Sequence, residues 1–382
     1  MFRFYYNTIT LIAIALLFLV TNAIAISELG NGEVLFDSNA GIEYDSNVLA
    51  NSDEESDLIG SITAGIAFEQ LERSVMNVIA RAQVEAVRYL DLKEFDTENL
   101  FFEFQFSYPN NLEKNAYYEL GINWSEITRG RREVGQIVES RMLGVFGTSQ
   151  VYLNEKSGVR FSGNLRMESF TNSTFSDSDD LSFAADYLYR YSSKLDFVTG
   201  YRYRDLKNSS TGEAISTSQN SHTFGIGLEG KLRPKVEGNM AFGVQYFDSR
   251  GSAGLVNEAQ PYYEIELEWQ ANSRASVSLS GSSDFQSSPD GSINNRRDIS
   301  IQFNQILRFQ AFGSIGLTYA HEDFSGLRSR KDDSITLDGR YLRNLDENKN
   351  FVLAAEYEIS ESDDAFFSYD RLRLALNFVI SF

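Results

Sequence analysis

The sequence predicts an all-β fold: a single closed antiparallel transmembrane β-barrel of about 18 strands, with short periplasmic turns and longer extracellular loops. Three observations lead to it. Segments in which apolar and polar residues alternate with a period of two recur from end to end of the chain beyond residue 25, a pattern that sorts them onto opposite faces of strands and would mix them on a helix. Beyond residue 25 no stretch approaches the roughly 20 consecutive apolar residues of a spanning helix. Only 4 prolines occur, so long strands are seldom interrupted.

The elements follow in chain order. Arg3 is the only charge before Glu28, "ITLIAIALLFLV" is an apolar run from Ile9 to Val20, and Ala23-Ile24-Ala25 has the small-x-small form of a cleavage site. Residues 1–25 therefore read as a secretory signal peptide. Residues 26–382 read as one barrel domain, since no linker or second composition regime divides them. Strand centres are expected near residues 41, 63, 81, 102, 120, 143, 164, 186, 200, 226, 241, 265, 280, 303, 317, 339, 355 and 376, each strand roughly 10 to 14 residues long. "NLFFEFQFSY" sets Leu100, Phe102, Phe104, Phe106 and Tyr108 against Glu103, Gln105 and Ser107. "LSFAADYLYRY" sets Leu181, Phe183, Tyr187, Tyr189 and Tyr191 against Asp186 and Arg190. "YYEIELEWQ" and "FVLAAEYEIS" repeat the pattern around Glu264, Glu266, Glu268, Glu356 and Glu358. "SRMLGVFGTSQVYL", near residue 143, alternates poorly and is expected to carry a bulge or a different register. Tight connections ("QLER" from 70, "NEKS" from 154, "SSK" from 192, "RPK" from 233, "ANSR" from 271, "DENK" from 346) alternate with longer ones rich in charge, Ser and Gly.

Closure follows from physics. An open sheet of so many long strands would leave two hazardous edges, and a bilayer demands that every backbone polar group be paired. Apolar faces then meet lipid and polar faces meet water, in keeping with a mean hydropathy of −0.29. Tyr44, Tyr89, Tyr108, Trp124, Tyr191, Tyr203, Tyr246 and Trp269 are expected in the interfacial aromatic girdles. The terminal "RLRLALNFVISF" puts Leu372, Leu374, Leu376, Phe378, Ile380 and Phe382 on alternate positions. An apolar closing strand with a terminal aromatic resembles the assembly signal of bacterial outer-membrane proteins. Phe378, Ile380 and Phe382 are its expected carriers, although Ala375 and Asn377 depart from the usual upstream pattern.

Composition narrows function. A net charge of −20 repels phosphates and argues against nucleic acid as a partner. No cysteine is present, which removes disulfides, thiolate metal sites and thiol nucleophiles. His222 and His321 stand far apart without the partners a catalytic triad or a metal pair needs, so no enzyme and no cofactor is expected. The acidic clusters "DEESD" from 53, "DSDD" from 177 and "ESDD" from 361 lack Gly-punctuated ligand spacing and read as solvated charge, with Ca²⁺ or Mg²⁺ binding through carboxylate oxygens as the alternative. "RGRR" at 129–132 reads as an exposed loop, with pairing to surface phosphates or an anionic glycan as the alternative. Alternation turns Glu103, Glu119, Arg160, Arg166, Glu168, Arg202, Arg204, Glu264, Glu266, Glu268, Arg340, Glu356, Glu358 and Arg373 inward. Barrels of this strand number leave an aqueous channel unless something fills it. Such mixed-sign walls either pair internally or bind hydroxyl-rich and charged solutes.

At "GIEYDSNV", Gly41 to Val48, an early strand ends in Tyr-Asp-Ser-Asn ahead of an acidic loop. This resembles the β-barrel porin 2 family over essentially the whole mature chain. The resemblance implies an 18-stranded outer-membrane barrel that exports an exopolysaccharide as a passive conduit with a periplasmic polysaccharide export protein. Outer-membrane lipids, lipopolysaccharide and the outer-membrane assembly machinery are the other expected partners. The rival readings are a general diffusion porin for small solutes and a plugged structural or adhesive barrel.

Overall fold

The computed structural model describes residues 28–29, 32–70, 75–109, 116–209, 216–251, 254–325 and 329–381. The expected signal peptide and Phe382 lie outside them. Eighteen antiparallel strands close into one barrel, the first Gly32–Asp45 and the last Tyr369–Ser381. Each strand pairs with its neighbours in sequence, and the last returns to the first from Arg373 opposite Asp45 to Ser381 opposite Asp37. A two-residue strand, Glu28–Leu29, adds to the start of the first. Every expected strand centre falls in its own strand, in order. Following the register once around returns to the first strand displaced by about 22 residues, which with this strand number sets a tilt of roughly 40°.

Half of the eighteen strands keep the expected length, the shortest being 12 residues at Thr97–Tyr108, and the other half run longer, up to 19 at Gly254–Asn272. Their ends therefore continue past the roughly 9–11 residues needed to cross hydrocarbon. Where a bulge was expected near residue 143, the strand Gln136–Tyr152 keeps an unbroken register with both neighbours. Gly144 and Gly147 interrupt its hydrophobic pattern without interrupting its backbone ladder. Register shifts occur instead beside tight turns, at Leu195/Asp196, Lys231/Arg233 and Gln270/Asn272.

The outer face is apolar. Ile66, Phe102, Leu120, Phe183, Ile226, Phe242, Ile301, Leu317, Leu337 and Leu376 all stand exposed on it, as lipid-facing residues do in a barrel. Tyr44, Tyr108, Tyr191, Tyr246 and Trp269 share that exposure. Tyr89 does not: it shares an inward row with Ile59 and is 8% exposed. Its backbone N–H donates to Asp96 at 2.8 Å as the chain turns into the next loop. No helix among the described residues is long and apolar enough to cross a membrane.

One ladder stops short. Strand Gly254–Asn272 pairs with Ala275–Ser287 only from Asn272/Ala275 to Glu264/Ser282, although both strands continue well beyond. Pro261 lies just past the break, with its carbonyl turned to Ser283 Oγ at 3.2 Å. On that side the proline has no N–H to offer, so the ladder loses a donor there.

Candidate functional site

The lumen is built by cross-strand rows. One row runs Arg160, Asp186, Gly200, Gly225, Gly243 and Tyr262. Because three glycines in this row carry no side chain, the wall is recessed there. Arg202 reaches across the two intervening strands to Glu264 at 3.5 Å and to the Tyr262 hydroxyl at 3.3 Å. Tyr262 in turn donates to Glu264 at 2.5 Å. Arg160 bridges Asp186 at 2.9 Å and Glu229 at 2.8 Å. Arg204 holds Asp180 with two bonds, at 2.8 and 2.6 Å, and Asp284 at 2.6 Å. Arg190 lies over the Tyr152 ring, 3.8 Å from its centroid.

These groups line a cavity of about 1720 Å³. It extends from the tight turns at Ser193, Lys194, Lys231 and Glu237 to Arg131, Glu133, Gln286 and Ser287 at the loop end. Arginines and carboxylates alternate around it with serine and tyrosine hydroxyls between them. The adjoining wall is different. The inward positions of Ala275–Ser287 are Ser276, Ser278, Ser280 and Ser282, continued by Ser300 and Thr318 on the next two strands. Beside this hydroxyl surface Glu266 and Glu268 stand exposed to the lumen.

The mouth at the loop end is narrowed by loops that turn inward. Asn47 and Asn51 brace the first loop through Asn47 Nδ2 to Asn51 O at 2.7 Å, and Asn51 Nδ2 continues to Gly135 O at 2.9 Å. A Cβ at Gly130 would lie 2.2 Å from Val48 O, and Gly135 has φ +63°; glycine permits both the close approach and the left-handed turn. This contact carries Arg132 to the far wall. There it pairs with Glu322, with Glu358 at 3.0 Å and with Ser334 at 3.1 Å. Arg330 donates to Glu133 O at 3.1 Å and lies between the rings of Phe324 and Phe367.

Several expectations change in this light. "RGRR" is not an exposed loop: Arg131 turns in to Glu168 and Arg132 is buried among carboxylates. Its pull comes from buried acids that need a cation. The acidic clusters are not simply solvated either. Asp57 accepts the backbone N–H groups of Leu90, Asp91 and Leu92, and Asp364 caps the turn Ala365–Phe367. Among the described residues no group of three His, Asp or Glu side chains is arranged to hold a metal ion.

Of the residues singled out by alternation, Arg160, Arg166, Arg202 and Arg204 line the cavity together, and Glu264 joins them through Arg202. Glu103 pairs elsewhere with Arg81 at 3.4 Å, and Glu356 pairs with Arg373. Arg340 lies on the wall opposite Ser314 and Ala354, outside this group. Phe378 and Ile380 lie on the outer face, Phe378 opposite Phe351. Tyr262, Asp180, Asp284 and Glu229 were missed. The first two share the inward parity of residues that were named, so the alternation contained their signal.

No family model matches the chain, and no curated protein does. Among solved structures it is similar to the FrpB iron transporter from Neisseria meningitidis at 7% identity, over 85% of this chain and 62% of that one, with a TM-score of 0.46. It therefore spans less than two thirds of that transporter's length. It is similar to Acinetobacter baumannii OccAB3 at 11% identity, over 93% of this chain and 100% of that one, with a TM-score of 0.46. Against Pseudomonas aeruginosa OccK1 (OpdK) the identity is 9%, over 91% and 99%, with a TM-score of 0.48.

Proposed function

We propose that this chain is an outer-membrane conduit that passes an exopolysaccharide from the periplasm to the cell surface. It performs no reaction of its own and receives the polymer from a periplasmic export protein. The observation that supports this reading best is the cavity of about 1720 Å³ inside a closed, lipid-faced barrel, lined by paired charges and hydroxyls. Such a lining offers a sugar chain many exchangeable hydrogen bonds, each too weak to hold it, which is the condition for conduction. The sequence resemblance at Gly41–Val48 supplies the substrate class. Those residues have a structural role as well: Asp45 and Asn47 anchor the first inward loop, Asp45 holding Arg371 of the closing strand at 3.0 and 2.5 Å.

The test is a clean deletion strain. Polymer should still be synthesised but should fail to appear at the cell surface, and the intact gene should restore it. Normal surface polymer would remove the export reading. A small-solute porin would then be the better account, favoured by loops that narrow the mouth.

A further inference from the structure

We propose that the tip of the hairpin formed by Ala275–Ser287 and Ile293–Ile306, residues 283–297, is a hinged gate. It is folded into the lumen here and can swing out to re-pair with the unpaired edge of Gly254–Asn272. The inference rests on the conduit reading only in supposing that something passes the lumen.

Three observations carry it. First, the ladder with Gly254–Asn272 ends at Glu264/Ser282 while the tip stays fully paired with its own partner strand, Ser287 opposite Ile293. Residues 283–287 have thus left Gly254–Asn272, while 293–297 stay laddered to Ala311–Ser325 as far as Ile293 opposite Ser325, and that seam is the hinge. Second, side-chain parity is violated. Phe285 and Ile293 occupy the alternate positions that carry Ile299 and Ile301 to lipid, yet they are buried to 0% and 1% against Leu206 on the inner wall. Third, polar contacts latch the tip to the inner wall beside that cluster. Ser287 Oγ donates to Asn208 Oδ1 at 2.6 Å, Asn208 Nδ2 and Thr217 Oγ1 donate to Gly291 O at 3.0 and 2.7 Å, and Ser176 N donates to Pro289 O at 2.7 Å. Arg204 completes the latch by holding Asp284.

The alternative position is equally specified. Continuing the Glu264/Ser282 register sets Ser287 opposite Ala259 and returns Phe285 and Ile293 to the lipid-facing side. Hydrocarbon is as apolar as the cluster they would leave, so burial favours neither state strongly. Pro261 withholds one ladder bond from the swung-out state, which keeps that state from being the only stable one. The cavity lies directly beneath the tip, with Gln286 and Ser287 in its lining, so the swing changes the width of the path.

The chain has no cysteine, so engineered pairs can trap each state. Oxidised N208C/S287C should cross-link, hold single-channel conductance in planar bilayers at its lowest level, and recover with dithiothreitol. Oxidised A259C/S287C should also cross-link, and should lock a conductance at least about twofold higher. Asp284→Asn, with no cross-link, should lengthen the time spent at the higher level. The gate is overturned if A259C/S287C stays reduced under the oxidant that closes N208C/S287C, or if both locked forms conduct alike. Where a cysteine pair does not assemble, an unchanged open fraction in D284N overturns it. Potassium chloride alone is the permeant, so export can fail as a reading while the gate stands.

Discussion

Replacing Arg132 with alanine should release the loop 131–135 from the far wall while leaving the barrel intact. The arginine side chain is 17% exposed, and its two carboxylate partners, Glu322 and Glu358, are 4% and 11% exposed. Removing one partner of a buried ion pair generally costs about 3–5 kcal/mol, because the remaining charge stays desolvated. Glu322 keeps Arg296 at 3.0 Å and the Asn294 amide at 2.8 Å, so most of the penalty falls on Glu358. Its cross-strand neighbour Arg371 is already held by Asp45. The lower end, about 3 kcal/mol, is therefore the fitting figure, and at 1.4 kcal/mol per decade it is roughly a hundredfold in the docked-to-released ratio. Hydrogen exchange at the Val134 and Gly135 amides, both bonded to Arg131 O, should accelerate by that order, with heat-modifiable gel mobility unchanged. R132A/E358Q should recover part of the protection, since no unpaired charge is then left. Protection within about threefold of the wild type in R132A, with the barrel intact, would refute the reasoning.

Two further outcomes are expected. Replacing Glu264, Glu266 and Glu268 with alanine should lower the cation-to-anion permeability ratio by about two- to fivefold, since exposed pore carboxylates act through water and are screened. Most of that change should come from Glu266 and Glu268, and reversal potentials in a salt gradient measure it on barrels of normal yield. Replacing Phe382 with a charged residue should lower the amount of protein reaching the outer membrane, whereas Phe378→Arg, on the outer face opposite Phe351, should also weaken the folded barrel. A lipid-facing charge costs roughly 2–4 kcal/mol near the midplane and less near the interface, so urea titration of the refolded barrel separates the two.

The strands were legible because lipid acts on them one residue at a time. Each outward position must be apolar whatever its neighbours are, so alternation alone placed eighteen strands in order. What fills the lumen obeys no such local rule. Arg132 meets Glu358 across 226 positions of sequence, and nothing near "RGRR" announces the buried acids that draw it inward. Arg202 reaches Glu264 from a strand that two others separate from the glutamate strand. That reach depends on Gly225 and Gly243 leaving the wall recessed between them. Arg204, on the same strand as Arg202 and of the same inward parity, is held by Asp180 and Asp284 instead. Asp284 shares the inward parity of Ser282 and meets Arg204 from four strands away, on the hairpin that turns into the lumen. The same turn explains why parity failed at Phe285 and Ile293. Alternation states which face a residue occupies relative to its own sheet, and it misleads wherever the sheet leaves the wall. Pro261 was the one local sign of that departure: one of 4 prolines in the chain, placed inside an otherwise regular strand where a ladder donor was due.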